Sequence, residues 1–145
     1  MKNLDEEEIG GGFQSFDEIK DALPDFLKEE NIKDKDGRIP TDPDYDETTL
    51  FIPKDKWSTF TPAMTQYWKI KENNQEKILF FKLGKFYEIF FLDAIVCQKL
   101  LDLNWMGGAK KLHVGFPEKA LDKFLEIMVT HGFKVAVVEQ TETPR

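Results

Sequence analysis

Lys77-Ile78-Leu79-Phe80-Phe81-Lys82-Leu83-Gly84-Lys85-Phe86-Tyr87-Glu88-Ile89-Phe90 is the stretch that decides the fold. Residues 77–83 form a nearly continuous apolar run too short for a helix and rich in aromatic residues, which predicts a buried strand. Gly84 breaks the run. Phe86 to Phe90 then predicts a second strand, antiparallel to the first if the turn at Gly84-Lys85 is tight. Alternation along that strand puts Phe86, Glu88 and Phe90 on one face and Tyr87 and Ile89 on the other.

Downstream, Leu92 to Leu103 predicts a helix with its apolar face on Ile95, Val96, Leu100 and Leu103, followed by a loop over 104–111 and a short strand over Leu112 to Gly115. Pro117 opens a further helix with a stripe of Leu121, Phe124, Leu125 and Met128, closed by Gly132 in the left-handed position. Phe133 to Glu139 predicts the last strand. Upstream, Thr61-Pro62 is a helix start, with the hydroxyl as cap and proline at the first position. Met64, Tyr67 and Trp68 follow at helical spacing, and Asn73-Asn74 end the helix. Strands alternating with helices predict an α/β domain, a mixed β-sheet flanked by helices.

Before this domain the composition changes. Residues 1–47 hold 16 acidic and 6 basic residues, a net of −10, whereas residues 48–145 hold 11 and 14, a net of +3. The first dozen residues, ending in Gly10-Gly11-Gly12, read as a flexible tail. Phe16 to Leu27 has helical spacing limited by Pro24, and Asn31 to Thr48, with Pro40 and Pro43, reads as an extended connector. The expected organisation is an acidic, largely extended or flexible leader over 1–47 and a globular domain over 48–145. The mild positive charge of the second part permits nucleic-acid binding without demanding it.

Several function classes find no support. The 145 residues contain no apolar run near the length needed to cross a bilayer, and the N-terminus lacks the apolar stretch of a secretory signal. The single cysteine, Cys97, cannot form a disulfide within the chain and is expected to be a small buried group in a reducing compartment. His113 and His131 are separated by a helix, and His131 is expected at that helix's last carbonyls. No metal-ligand spacing, nucleophile elbow or phosphate loop is present, so neither metal, cofactor nor catalytic site is expected.

The segment Gly84-Lys85-Phe86-Tyr87-Glu88 is the candidate site. It places a large flat ring one step from a carboxylate on one face. A core face accepts the ring but penalises an unpaired charge. Two readings stay open on these five residues alone: Phe86 in the core with Glu88 on a solvated edge, or both at a surface that meets a ligand offering an apolar slot and a hydrogen-bond donor.

The segment resembles the G-x-F-Y-E motif of the MutS mismatch-repair family. The likeness continues through Asn31 to Arg38, Pro43 to Pro53, Thr61 to Lys71, Gly84 to Ala94, His113 to Glu118 and Gly132 to Pro144, in order. Its lead-in is similar to the eukaryotic MutS homologue 6 group. The resemblance implies a fold like MutS domain I. It also implies that Phe86 enters the minor groove and stacks on a mispaired base, while Glu88 hydrogen-bonds that base. Around them Lys85, Lys110, Lys111 and His113 are candidates for contacts to the DNA backbone. Glu88 could accept from a base edge, donate when protonated, or raise the cost of resting on paired DNA; the sequence does not choose.

The resemblance further implies double-stranded DNA with mispairs or small loops as ligand, a nuclear location, and MutS homologue 2 as heterodimer partner of the full-length protein. The isolated chain is expected to be monomeric. ATP and Mg belong to an ATPase module that 145 residues cannot include, so this is expected to be a binding domain and not an enzyme. The chain then is either a fragment of a longer protein or a stand-alone relative. The alternative is a structural or interaction protein of the same fold that has lost DNA binding, for which the acidic leader is the main support.

Overall fold

The computed structural model describes residues 13, 15–106 and 111–139. The chain divides into two compact units, one formed by residues 1–24 with 79–145 and the other by residues 25–78. Residues 1–12 of the expected leader, and Lys110, lie outside the described residues.

The larger unit is built on a mixed four-stranded sheet of order β3-β2-β1-β4. Its strands are β1 (Ile78–Leu83), β2 (Phe86–Phe90), β3 (His113–Pro117) and β4 (Val135–Val138). The expected antiparallel hairpin is present: Leu83 pairs with Phe86, Lys82 with Tyr87 and Phe81 with Glu88. Strand β2 pairs antiparallel with β3, from Phe86 opposite Pro117 to Phe90 opposite His113. The first four residues of β1 are buried on both faces, as their apolar run predicts, whereas β2 and β3 bury alternate residues. Tyr87 and Ile89 of β2 and Val114 and Phe116 of β3 form the buried side. Each such aliphatic or aromatic side chain taken from water contributes roughly 1.5–3 kcal/mol.

Helices α3 (Phe91–Leu100) and α4 (Leu121–Thr130) flank the sheet. On α4, Phe124 meets Phe116 edge-on at 4.7 Å, and buried Met128 lies 4.0 Å from the Cys97 sulfur of α3. Asp93 in the first turn of α3 is buried, and its Oδ2 accepts the backbone N–H of Leu79 at 3.0 Å. This bond ties the start of α3 to the start of β1 within the sheet unit.

Several details differ from the sequence expectation, among them the strand bounds, where β3 and β4 are shifted or shortened by about two residues. The buried side of α3 is Asp93, Ala94 and Cys97, continued by Leu101, while Ile95, Val96, Leu100 and Leu103 are half-buried. This helix is apolar almost all round, so its rotation follows from the β2–α3 junction, where Phe91 adopts φ +57° and donates its N–H to Leu112 O at 2.9 Å. It stops at Leu100 because Asp102 turns left-handed (φ +53°), with the Leu103 N–H reaching back to Gln98 O. No glycine announces that stop.

Pro117 ends β3 instead of opening α4, and a 3₁₀ turn at Glu118–Ala120 intervenes, because the Glu118 N–H is given to Lys85 O at 2.8 Å. Gly132 does close α4 at φ +86°, with Phe133 N–H bonded to Met128 O. The His131 Nδ1 meets Ile127 O at 2.8 Å, as expected of a histidine at a helix end. The segment 16–27 splits into helix α1 (Phe16–Asp21), capped by Ser15, and a 3₁₀ turn at Asp25–Leu27 beyond Pro24.

In the smaller unit, helix α2 (Pro62–Lys71) begins as predicted, with Thr61 Oγ1 accepting from the Met64 N–H at 3.2 Å. Tyr67 and Trp68 are buried, and Phe26 and Phe60 pack on the Trp68 ring. Residues 31–48 are not the extended connector expected of them. They form successive turns around Asp34, whose buried carboxylate accepts the backbone N–H groups of Asp36 (2.9 Å), Arg38 (2.8 Å) and Asp46 (2.9 Å). Burial pushes the Asp34 carboxyl up, but the amides of Asp46, Arg38 and Asp36 outweigh it and hold the group below the usual carboxylate range. A polar, proline-rich composition suggested solvation, whereas local side-chain-to-backbone bonding folds the segment.

Two outcomes follow. Because the folded state of Asp34 titrates low, its contribution is present above the unfolded carboxyl range and is lost as pH falls below about 4. Asp34→Asn therefore lowers the thermal midpoint near neutral pH, followed by tryptophan fluorescence, and loses less than wild type between neutral and acid pH. A variant as stable and as acid-sensitive as wild type excludes this role. At the hairpin, Gly84 has φ +65° and open space where a Cβ would stand. Gly84→Ala is thus strained by backbone alone and costs roughly 1–2 kcal/mol in urea unfolding, Gly84→Asn less.

Candidate nucleic-acid interface

The site is assembled at the tip of the β1–β2 hairpin. Of the two turn residues only Gly84 has positive φ, which is the demand of a II′ hairpin turn for glycine at its first central position. The tight turn brings Phe86 directly after the tip, where the residue is 43% exposed, against 3% for Tyr87 and 0% for Ile89 on the other face. An exposed phenylalanine between buried neighbours is the pattern the strand alternation predicted, and the reading with Phe86 in the core is excluded by it.

The opposite face of the tip is tied down. Lys82 donates to Glu118 Oε2 at 2.8 Å and lies 3.4 Å from Glu139 Oε2, and the Tyr87 hydroxyl donates to Glu139 Oε1. The Glu118 carboxylate beside Lys82, with Glu139, holds that ammonium above the usual lysine range. The Tyr87 hydroxyl in turn holds Glu139 below the usual carboxylate range. Two carboxylates thus neutralise Lys82, while exposed Lys85 and Lys111 have no ion pair among the described residues. The uncompensated positive charge beside Phe86 comes from Lys85.

Glu88 shares the face of Phe86 but is recessed: its side chain is 15% exposed, and its Oε2 lies 2.5 Å from Nε2 of His113, itself 21% exposed. The His113 ring stacks on Phe90 at 4.7 Å with 12° between planes. Gly115 stands opposite Glu88 in the ladder. A Cβ there would lie 2.6 Å from Glu88 Oε2 and 2.9 Å from the Tyr87 carbonyl oxygen, so only glycine leaves room for the acid. The Met106 sulfur is the next neighbour of that position at 3.4 Å, and its N–H donates to His113 O at 2.7 Å.

The structure therefore places Phe86, Glu88 and His113 on one face of the sheet, with Lys85 and Phe86 at the hairpin end of β2, His113 opposite Phe90 at its other end, and Lys111 two residues before His113. Gly115 and Met106 were not singled out from sequence. Gly115 becomes visible only when the β2–β3 register sets it against Glu88. Exposed Met106 carries no sequence signal, because its place is set by its backbone bond to His113, seven residues on. Among the described residues no group of three or more His, Cys, Asp or Glu is arranged to hold a metal ion.

Comparison with known proteins agrees with this geometry. A family model for MutS domain I matches residues 61–145. Over 120 residues the chain is 48% identical to the probable DNA mismatch repair protein Msh6 of Drosophila melanogaster, covering 83% of this chain and 10% of that protein. It is 42% identical over 120 residues to the DNA mismatch repair protein Msh6 of Homo sapiens, covering 83% and 9%. The DNA mismatch repair protein MutS of Acholeplasma laidlawii is 43% identical over 90 residues, 60% of this chain and 11% of that protein. The chain spans about a tenth of the length of these curated relatives. Since the matched residues run from the α2 cap through the whole hairpin, β3 and β4, the chain belongs to the MutS domain I family.

Proposed function

We propose that this chain is a mismatched-DNA recognition module in which Phe86 is a wedge and Glu88 a hydrogen-bonding partner of the displaced base. The exposed Phe86 ring at a rigid hairpin tip carries the reading. An apolar wedge that enters a base step unstacks it and kinks the duplex, at a cost of a few kcal/mol per step. A mispaired step has already lost part of its pairing, so the same deformation costs less there and selects the lesion without reading sequence. Stacking on an aromatic ring returns roughly 1–3 kcal/mol for any base, which suits a sensor of many mispairs.

Lys85, next to the ring, and Lys111 supply the phosphate contacts that position the hairpin. Glu88 beside phosphates is disfavoured unless a base edge bonds to it, which makes resting on paired DNA costly. The names of the relatives as DNA mismatch repair proteins support the reading. With it come a nuclear location and, for a longer protein of which this would be the recognition part, a MutS homologue 2 partner and a separate module for ATP and Mg.

Phe86→Ala removes the preference for a duplex with one mispair over the same duplex fully paired, measured by fluorescence anisotropy. Stability to urea changes by less than about 1 kcal/mol, because the ring is not core. Unfolding by Phe86→Ala, with discrimination kept in Phe86→Leu, sinks the wedge. Lys85→Ala weakens binding to both duplexes alike and reduces the dependence of log affinity on log salt by about one phosphate contact. No salt-dependent binding by the chain to either duplex would instead favour a fold relative that has lost DNA binding.

A further inference from the structure

The pairing of Glu88 with His113 lets the role of each be separated. The His113 Nε2 to Glu88 Oε2 distance is 2.5 Å, and the imidazole is held flat against Phe90. The backbone around His113 is fixed on both sides of the residue, by its N–H to Lys111 O at 3.0 Å and by the Met106 N–H to its carbonyl at 2.7 Å. The missing Cβ of Gly115 opens the space that Oε2 occupies. Glu88 Oε1 has no hydrogen-bond partner among the described residues.

We propose that His113 is a positioning residue for Glu88 and not a DNA-backbone contact. Its Nε2–H anchors Oε2 and leaves Oε1 presented to a donor on a displaced base. The inference rests on the reading of Glu88 as a ligand-contacting residue. Its physical content is preorganisation. A glutamate side chain free to rotate loses that freedom on binding, whereas one pinned by an imidazole has lost it beforehand. The donor also offsets part of the unfavourable proximity of an acid to phosphates. The stack on Phe90 serves the same end, because it fixes the ring plane from which Nε2 points. A histidine so engaged is poorly placed to serve a phosphate as well.

The test uses the 145-residue chain, a duplex with one mispair and the same duplex paired, titrated at several salt concentrations. His113→Leu lowers the mispair-over-paired affinity ratio several-fold and leaves the salt slope unchanged. In a Glu88→Ala background the same substitution has no further effect. His113→Gln, whose amide can still donate to Oε2, restores most of the ratio, and the shorter His113→Asn does not. If His113→Leu does not fold, the Gln and Asn pair decides.

Equal losses on both duplexes, with a salt slope smaller by about one, overturn the proposal and make His113 a phosphate contact. Additive effects of His113→Leu and Glu88→Ala overturn it while leaving the role of Glu88 intact. A Glu88→Ala variant that discriminates as wild type does removes both together.

Discussion

The two-residue turn at Gly84-Lys85 sets the constraint from which the rest of the site follows. A left-handed residue there closes the hairpin with Leu83 opposite Phe86, and that pairing decides which face every later side chain occupies. Because the strand period is two, a slip of one residue would bury Phe86 and Glu88 and expose Tyr87 and Ile89. Such a slip would desolvate an acid and expose two core residues, so burial and turn geometry enforce one register. The proposed wedge role needs this definition, since a mobile ring would lose stacking energy in becoming ordered.

Rigidity at the tip is assembled from the side facing away from the proposed ligand. Lys82, Glu118, Glu139 and Tyr87 form an ion-paired and hydrogen-bonded network from β1, β2, the turn after β3 and the residue after β4, and the Glu118 amide holds the Lys85 carbonyl. The network removes Lys82 from the pool of free cations and leaves Lys85 in it. The whole chain carries a net charge of −7, yet the network leaves the Lys85 charge beside Phe86 without an ion pair among the described residues. The same division of labour holds for the acids: Glu118 and Glu139 are structural, and Glu88 alone among these three stands on the face of Phe86.

Much of the fold could be read along the chain because the signals are local. The buried run of β1, the alternation of β2, the Thr61-Pro62 helix start and the Gly132 stop each depend on a few neighbouring residues. Local signals fail where the outcome depends on partners far along the chain. The rotation of α3 could not be read from a helix apolar on all sides, nor the 3₁₀ turn after Pro117 from a proline that fits a helix start equally well. The turns around Asp34 were hidden because one buried carboxylate collects the nearby amides of Asp36 and Arg38 together with that of Asp46, 12 positions on.

By itself the sequence determined the hairpin, the face shared by Phe86 and Glu88, and the family whose motif they form, since alternation and turn chemistry are properties of contiguous residues. Tertiary structure alone decided that His113 meets Glu88, that Gly115 makes the room for it, and that Lys82 is spent on two carboxylates. Those partners are separated by 25 or more residues and meet only through strand pairing, which sums burial and hydrogen bonding over the whole sheet.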